Sequence, residues 1–211
     1  MKKVPGYFII ILLIVSDSCR KDKNIDRLSI IPSEVKDFAL FQPGTYWIYQ
    51  DSASGVIDSV YVYDLITGID STSSGNFEYF DEYCTHSNGY SDHIWVNMSW
   101  SINYHYTPVW KSYFKPGDFI GQSYLMLYPF NTNRQYGAYT DYGTITIIGF
   151  LNNFNVLGNN YNEVICFHNT ENIIEYHSES NYYVVKNFGL IRKELVDSLK
   201  IWNLVRCHII Q

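Results

Sequence analysis

The sequence lacks an apolar run long enough to cross a membrane. A spanning helix needs ~20 consecutive apolar residues, whereas the longest run, FIIILLIV at positions 8–15, has eight. Lys2 and Lys3 precede this run, and a short polar stretch leads from it to Cys19. A positive start followed by a short apolar core is typical of a secretory signal peptide. The sequence therefore predicts export rather than a helix that stays in the membrane.

Cysteine is scarce as well, with four residues in the whole chain. If Cys19 serves as an attachment point, Cys84, Cys166 and Cys207 remain, an odd number for an oxidising compartment. At most one disulfide can then form within the chain. Cys166 and Cys207 are the pair that would form it, and buried free thiols are an alternative of at least equal weight.

The sequence has no excess of positive charge. It contains 15 Lys and Arg against 21 Asp and Glu, a formal net charge of −6. Nucleic-acid binding requires a basic footprint on the protein surface. The composition therefore predicts no nucleic-acid partner.

Motifs that identify a reaction are missing. The chain has no G-x-S-x-G, no phosphate-binding P-loop and no dinucleotide fingerprint. Ser33 and Lys36 have the S-x-x-K spacing of penicillin-interacting enzymes, but the partner motifs S-D-N and K-T-G are absent. We predict a short helical turn capped by Ser33 instead. The sequence thus predicts a protein that is not an enzyme and needs no cofactor.

Two groups of polar residues share one face of a predicted strand. Cys166 and His168 are two positions apart, but a zinc site needs three or four ligands, so we predict no metal. Glu175, His177 and Glu179 alternate in the same way. Acid–base chemistry is one interpretation of this second group, and a solvated polar strand face is the favoured one.

Aromatic residues are abundant, with 20 Tyr, 12 Phe and 5 Trp. Such residues favour pleated, half-buried β-strands. About twelve strand-like segments alternate with turn signals, which predicts an all-β domain over 33–211, built as a single antiparallel β-sandwich or a curved, barrel-like sheet. Residues 129–143 show no strand periodicity and are predicted to form a functional loop.

The segment Ser16-Asp17-Ser18-Cys19, followed by charged residues at 20–23, resembles the signal peptides of Gram-negative bacterial lipoproteins. The resemblance implies cleavage of the signal peptide 1–18, acylation of Cys19 with chains such as palmitate, and a tether over 19–32. Arg20 after the cysteine favours the outer membrane. An ordinary secreted protein, with Cys19 unmodified, is the alternative.

Three further motifs occur in order along the chain: PGTYWIY at 43–49, GNNYNEVI at 158–165, and GLIRKE at 189–194 followed by WNL at 202–204. Together with the signal peptide they resemble a family of Gram-negative bacterial lipoproteins that has no assigned activity. This resemblance implies a curved antiparallel sheet, somewhat like that of periplasmic lipoprotein carriers. It implies no reaction.

A cluster of aromatic residues lies between positions 95 and 114. Exposed aromatic rings beside amide and carboxylate groups suit sugar rings, so the cluster is a candidate ligand-binding site. The alternative is that these rings are core residues and cross-strand pairs. The candidates are Trp95, Trp100, Tyr104, Tyr106 and Trp110.

Four serines follow an aspartate in a pattern that resembles the D-S/T-apolar acceptor of a bacterial O-glycosylation system. Turns also favour Asp and Ser for local reasons, which is the alternative. The candidates are Ser52, Ser59, Ser71 and Ser198.

The sequence as a whole predicts a lipid-anchored lipoprotein of the cell envelope that acts as a non-catalytic interaction or structural module. A surface lipoprotein that binds a glycan or small ligand through the aromatic cluster is the alternative. The predicted partners are the membrane, through acylated Cys19, and an envelope protein or glycan.

Overall fold

The computed structural model describes residues 28–72, 75–87, 91–97, 109–115, 118–124, 130, 135–136, 144–173 and 176–211. For Thr72 and for residues 91–97, 109–115, 118–124, 135–136, 171–173 and 176–178, only the backbone is described. The signal segment and Cys19 lie outside the described residues, as do 98–108 and most of 125–143.

The described chain consists of strands and one short helix. The helix, α1, spans Ser33–Ala39. The strands are β1 (Leu28–Ser29), β2 (Tyr46–Asp51), β3 (Ile57–Thr72), β4 (Gly75–His86), β5 (Ser91–Asn97), β6 (Val109–Lys115), β7 (Asp118–Tyr124), β8 (Gln135–Tyr136), β9 (Thr144–Leu151), β10 (Phe154–Val156), β11 (Asn159–Tyr161), β12 (Val164–Ile173), β13 (Tyr176–Val185), β14 (Gly189–Leu195) and β15 (Lys200–His208).

Thirteen of the described strands form one sheet in the order β7-β6-β5-β4-β3-β2-β15-β14-β13-β12-β9-β8, with β1 attached to β4. All neighbours are antiparallel except β1 and β4. Strands β10 and β11 form a separate hairpin. The predicted all-β class is confirmed, and the sheet is open rather than a closed barrel, because β7 and β8 are the ends of the described ladder.

The sheet curls around one interior. Phe80 on β4 belongs to the same buried cluster as Phe167 on β12 and Tyr182 on β13, although several strands separate β4 from β13 in the sheet order. Contact between such distant strands requires the sheet to bend toward itself. Helix α1 lies inside this bend, since Val35, Phe38 and Ala39 are part of the cluster.

A second buried cluster continues the interior along the same strands. It includes Trp47 and Tyr49 from β2, Val62 from β3, Cys84 from β4 and Leu204 from β15. Alternation along β2, where every second residue is buried, follows from the two-residue period of a strand. The PGTYWIY segment therefore forms the strand that the sequence predicts.

Several predicted boundaries are wrong. The turn-rich stretch DSTSSG at 70–75 predicts a loop, but residues 70–72 continue β3. The polar residues ESN at 179–181 predict a break between strands at 173–178 and 182–186, but these polar residues lie within the single strand β13. Strand β8 lies within the predicted loop 129–143. Polar or tyrosine-rich segments join the ladder in each case because pairing with a neighbouring strand outweighs weak local propensity.

The predicted tether is too long. Leu28–Ser29 pairs with Asn76 and Phe77 on β4, and Ile31 is only 2 % exposed. The Ile31 N–H also donates to Glu78 Oε2 at 2.8 Å. The folded domain therefore includes residues from Leu28 onward, because burial of Ile31 and strand pairing hold them in place, and it does not begin at Ser33.

Helix α1 confirms the predicted short helix, but the predicted cap is wrong. Pro32 occupies the N-cap position, and no side chain caps the helix. The Ser33 hydroxyl instead donates to Glu34 Oε2 at 3.4 Å. Within the described residues, no helix has the length and apolarity needed to span a membrane.

Candidate functional site

Two carboxylates on the inner face of β4 hold the segment that contains α1. Glu78 accepts the Ile31 N–H and also pairs with Lys36 Nζ at 2.7 Å. Glu82 accepts the Phe41 N–H at 2.8 Å and is fully buried. Burial raises the pKa of Glu82 to about 8, although the bond from Phe41 opposes the shift. These two side chains therefore secure both ends of the segment against the sheet.

A second polar group lies at the end of the second core cluster. His86 Nδ1 lies 2.6 Å from Asp58 Oδ2, and the Ser87 hydroxyl donates to Asp58 Oδ1 at 3.0 Å. Burial alone would raise the pKa of Asp58, but the hydrogen bond and charge of His86 outweigh it and lower that pKa. Because Ser87 donates to the aspartate and not to the histidine, the group does not form the serine–histidine relay of a hydrolase.

A third polar group crosses β12, β13 and β14 and centres on Glu194. Its Oε2 accepts bonds from Asn181 Nδ2 at 3.2 Å and from the Tyr183 hydroxyl at 3.1 Å. Its Oε1 accepts Arg192 Nε at 2.8 Å. His168 Nδ1 lies 3.0 Å from Asn181 Oδ1 and so joins the chain of bonds. We call this set the Glu194 network.

The predicted pair Cys166 and His168 borders this network. Cys166 pairs in register with Tyr183, and His168 pairs with Asn181. Burial raises the pKa of the Cys166 thiol to about 11, so the thiolate needed for metal binding or nucleophilic attack is disfavoured. Over the described ranges, no three His, Cys, Asp or Glu residues are grouped closely enough to hold a metal ion.

The β10–β11 hairpin covers one side of the Glu194 network. The Phe154 ring stacks on Tyr183 with centroids 4.7 Å apart and an interplanar angle of 7°. The Arg192 guanidinium lies 5.8 Å from the Phe154 centroid and 5.7 Å from that of Tyr183. The network therefore anchors the hairpin to the sheet. The sequence alone does not predict this role, and its local signal is the alternation within GLIRKE at 189–194.

The candidate disulfide between Cys166 and Cys207 does not form. Cys84, Cys166 and Cys207 are all free, and the first two are buried. Cys84 and Cys207 belong to, or pack against, the second core cluster. The alternative of free thiols that behave as small apolar core residues is therefore the one observed.

The four candidate glycosylation serines differ in their surroundings. Ser52, Ser71 and Ser198 are exposed, and the Ser52 hydroxyl accepts Asn203 Nδ2 at 2.6 Å. Ser59 is half-buried within β3, where it pairs with Ile48 on β2. Its neighbour Asp58 is engaged with His86. Strand pairing thus makes Ser59 the least accessible of the four.

Most of the predicted aromatic cluster lies outside the described residues. Trp100, Tyr104 and Tyr106 are not described, and no side chain is described for Trp95 or Trp110. The backbone places Trp95 on β5 opposite Asp81 and Trp110 on β6 opposite Ile94. The cluster therefore stays a prediction. Glu175 and the side chain of His177 also lie outside the described set, and Glu179 is exposed.

Of the predicted loop 129–143, only Phe130 has a described side chain. Its ring packs edge-on against Phe38 at 5.0 Å and against Phe167 at 6.4 Å. This part of the loop therefore contributes to the core that surrounds α1.

The outer face of β3 and β4 carries large side chains that the fold does not cover. Tyr61 is 43 % exposed, Tyr63 is 51 % exposed and Ile66 is 44 % exposed, whereas the intervening Val62 is fully buried. The Tyr63 and Tyr83 ring centroids are 6.1 Å apart. Two carboxylates accompany these rings. We call this surface the tyrosine face, formed by Tyr61, Tyr63, Asp64, Ile66, Asp81 and Tyr83.

A local irregularity shapes the tyrosine face. The β3–β4 register shifts between Val62 and Asp64, so that Asp64 pairs with Tyr83. The Tyr83 hydroxyl donates to Asp81 Oδ2 at 2.9 Å. Burial first, and then this bond and the charge of Asp81, raise the pKa of Tyr83 to about 12. This surface was not predicted from the sequence, although the alternation of Tyr61, Val62 and Tyr63 is a local signal for it.

Tyr79 lies on β4 two positions before Asp81, on the side of the tyrosine face that is nearer the β3–β4 turn. Tyr79 lies across Gly68, where an added Cβ would come within 2.8 Å of its ring atoms. Any larger residue at Gly68 would force this ring to move. A ring that packs over a glycine covers the backbone that the missing side chain leaves open.

No protein-family model matches this chain, and no curated protein matches it. A solved structure that resembles it is a protein from Bacteroides fragilis assigned as exported and as having a YmcC-like fold. The two share 10 % identity, and the alignment covers 81 % of this chain and 98 % of that chain with a TM-score of 0.34. At that TM-score the likeness carries no argument about this chain.

Proposed function

We propose that this chain is a lipid-anchored lipoprotein of the cell envelope, held in the outer membrane through acylated Cys19, and that its all-β domain is a non-catalytic interaction module. The tyrosine face is the observation that carries the proposal, because Tyr61, Tyr63 and Ile66 remain exposed beside a well-filled core. Monomeric proteins rarely leave a large apolar patch uncovered unless it binds another molecule.

The polar groups of the described residues support a role without catalysis. Glu82 is engaged by the Phe41 backbone, and Asp58 is engaged by His86 and Ser87. Glu194 accepts bonds from three side chains. A general acid, base or nucleophile needs a reactive atom that can reach a substrate. Partners within the fold already engage the atoms that would do this work here.

The lipid anchor is tested by metabolic labelling with an alkyne analogue of palmitate. We expect the full chain to be labelled and to sediment with the outer membrane, and the Cys19→Ala variant to lose both properties. Cys84→Ala is the matched control and should keep the label, since Cys84 is a buried core residue. An unlabelled wild-type chain in the soluble fraction would contradict the anchor.

Glycan binding through Trp95, Trp100, Tyr104, Tyr106 and Trp110 is the second candidate function. Its support is the register of β5, which places Trp95 opposite Asp81 of the tyrosine face. Binding of a ligand to the native state raises the melting temperature. We expect one class of oligosaccharide to raise it, and Trp100→Ala or Trp110→Ala to abolish the rise. No response to any sugar would remove this candidate.

A further inference from the structure

Negative charge is concentrated in one part of the chain. From position 37 to position 110 the sequence contains no Lys or Arg, and it contains nine Asp and Glu. The rest of the chain therefore carries a small positive net charge. The β2–β3–β4 portion of the sheet lies entirely within this acidic segment.

Several of these acidic side chains form ion pairs with other residues of this chain or are buried. Asp37 pairs with Lys186 at 2.8 Å, Asp58 with His86, and Glu78 with Lys36. Glu82 is buried, with its pKa raised. The carboxylates that accompany the exposed rings of β3 and β4 are those of Asp64 and Asp81. Asp64 is exposed, and its Oδ1 accepts the N–H of the next residue.

We propose that the tyrosine face docks a basic segment of a partner polypeptide, with Lys or Arg side chains that lie over the rings of Tyr61 and Tyr63 and against the carboxylate of Asp64. This inference rests on the proposed function as an interaction module and names the chemistry of the partner.

Charge complementarity selects this occupant. An aromatic ring attracts a cation placed over its face, and a carboxylate beside the ring adds a direct ion pair. Tyr61 and Tyr63 supply the exposed rings, and residues 57–86 contain no Lys or Arg. The single histidine of this hairpin, His86, pairs with Asp58. On the neighbouring strands, Arg206 lies over the ring of Tyr46, 5.6 Å from its centroid. The exposed carboxylate of Asp64 would repel an anionic lipid surface or a nucleic acid.

The spacing of the rings also fits an extended peptide. Tyr61 and Tyr63 are two positions apart on one strand, which separates them by about 7 Å. Side chains on one face of an extended segment have the same separation. A segment with basic residues at alternate positions can therefore place one cation over each ring.

The test uses the full chain in detergent, with fluorescent deca-arginine as the probe and its anisotropy as the readout. We expect binding that weakens steeply when salt rises to about 0.5 M, because screening shortens the range of the attraction. The Tyr61→Ala/Tyr63→Ala variant should bind about tenfold more weakly, as two exposed cation–π contacts are lost. Asp64→Asn should bind about threefold more weakly.

Matched controls separate this face from the rest of the surface. Phe150→Ala removes an equally exposed ring from β9, and Glu163→Gln removes an exposed charge from the turn before β12. Both should bind the probe as the wild type does. Tyr63→Phe should also retain binding, because the ring face and not the hydroxyl holds the cation.

Three outcomes overturn the inference: no binding at low salt, equal loss in Phe150→Ala, or binding of a neutral dextran with the same dependence on Tyr61 and Tyr63. Folding of each variant is checked by its melting temperature. The proposed lipid anchor is read separately from the palmitate label. If the chain is labelled but does not bind deca-arginine, the lipid anchor is supported and this inference is contradicted. If the chain binds deca-arginine but is not labelled, this inference is supported and the anchor is contradicted.

Discussion

The two faces of β4 carry similar residues, acids and aromatic rings, in different environments: the inner face is in the core and the outer face is near solvent. Inside, Glu78 and Glu82 flank Phe80, and each carboxylate accepts a backbone N–H from the segment around α1. Outside, Asp81 and Tyr83 bond to each other beside rings that remain exposed. On the inner face the acids position one piece of this chain. On the outer face the rings of Tyr61 and Tyr63 are left at the surface, where another molecule can reach them.

The difference shows how burial sets the role of a charged side chain. An acid that leaves water must gain hydrogen bonds or a proton, and Glu82 does both. An exposed acid such as Asp64 keeps its hydration and contributes little to folding, but it contributes to the field that attracts a partner. Stability should therefore depend on the inner face, and binding on the outer one.

The largest loss of folding stability is expected from Phe80→Ala. Phe80 is 2 % exposed and belongs to the cluster that joins β4 to β12 and β13. Its removal should lower the free energy of unfolding by about 3–5 kcal/mol, measured by urea denaturation. A loss no greater than that for the exposed Tyr63→Ala would contradict the assignment of the inner face as the core.

The next effect concerns the pH dependence caused by Glu82. Its folded pKa, about 8, is above its ordinary value of 4.5, so its contribution is fully present below pH 4.5 and is lost as pH rises through 8. Stability should fall across this window by at most about 1.4 kcal/mol per pH unit. Glu82→Gln should flatten this part of the profile, and Glu163→Gln, on the surface, should leave it unchanged.

A smaller effect of opposite sign is expected from Asp58. Its folded pKa is lowered, so its contribution is present above the unfolded pKa and is lost as pH falls through the folded one. Asp58→Asn should lower the free energy of unfolding by about 1 kcal/mol at neutral pH. As the pH falls, the variant should lose less stability than the wild type, because it has no carboxylate at this position to protonate. A variant that retains the wild-type acid sensitivity would show that the pair with His86 does not cause it.

The smallest effect on folding is expected on the outer face. Tyr63→Ala should change the free energy of unfolding by no more than about 0.5 kcal/mol, because half of the side chain is already in water. Chemical denaturation monitored by tryptophan fluorescence provides the comparison with Phe80→Ala. A cost as large as that of the core variant would mean that the tyrosine face packs against another part of the chain.

Local pattern was enough to locate most strands. The alternation of PGTYWIY predicts β2, and the turn residues before Leu190 and after Leu195 delimit β14. Local pattern failed where pairing with a neighbouring strand outweighed the turn propensity of the residues, as in the extension of β3 through residues 70–72. The shared face of Cys166 and His168 follows from the strand period. Their partners Tyr183 and Asn181 lie on β13, and Glu194, which accepts a bond from Asn181, lies on β14, and only the sheet brings these strands together.

The sequence by itself determined the all-β class, because strand period and turn chemistry are local properties of a few adjacent residues. It determined the acidic character of residues 37–110 in the same way. Only the tertiary structure decided which acids are buried, since Glu82 and Asp81 are neighbours in sequence and lie on opposite faces of β4. That choice depends on how the sheet curls around α1, and curvature is the sum of many contacts between residues far apart in the chain.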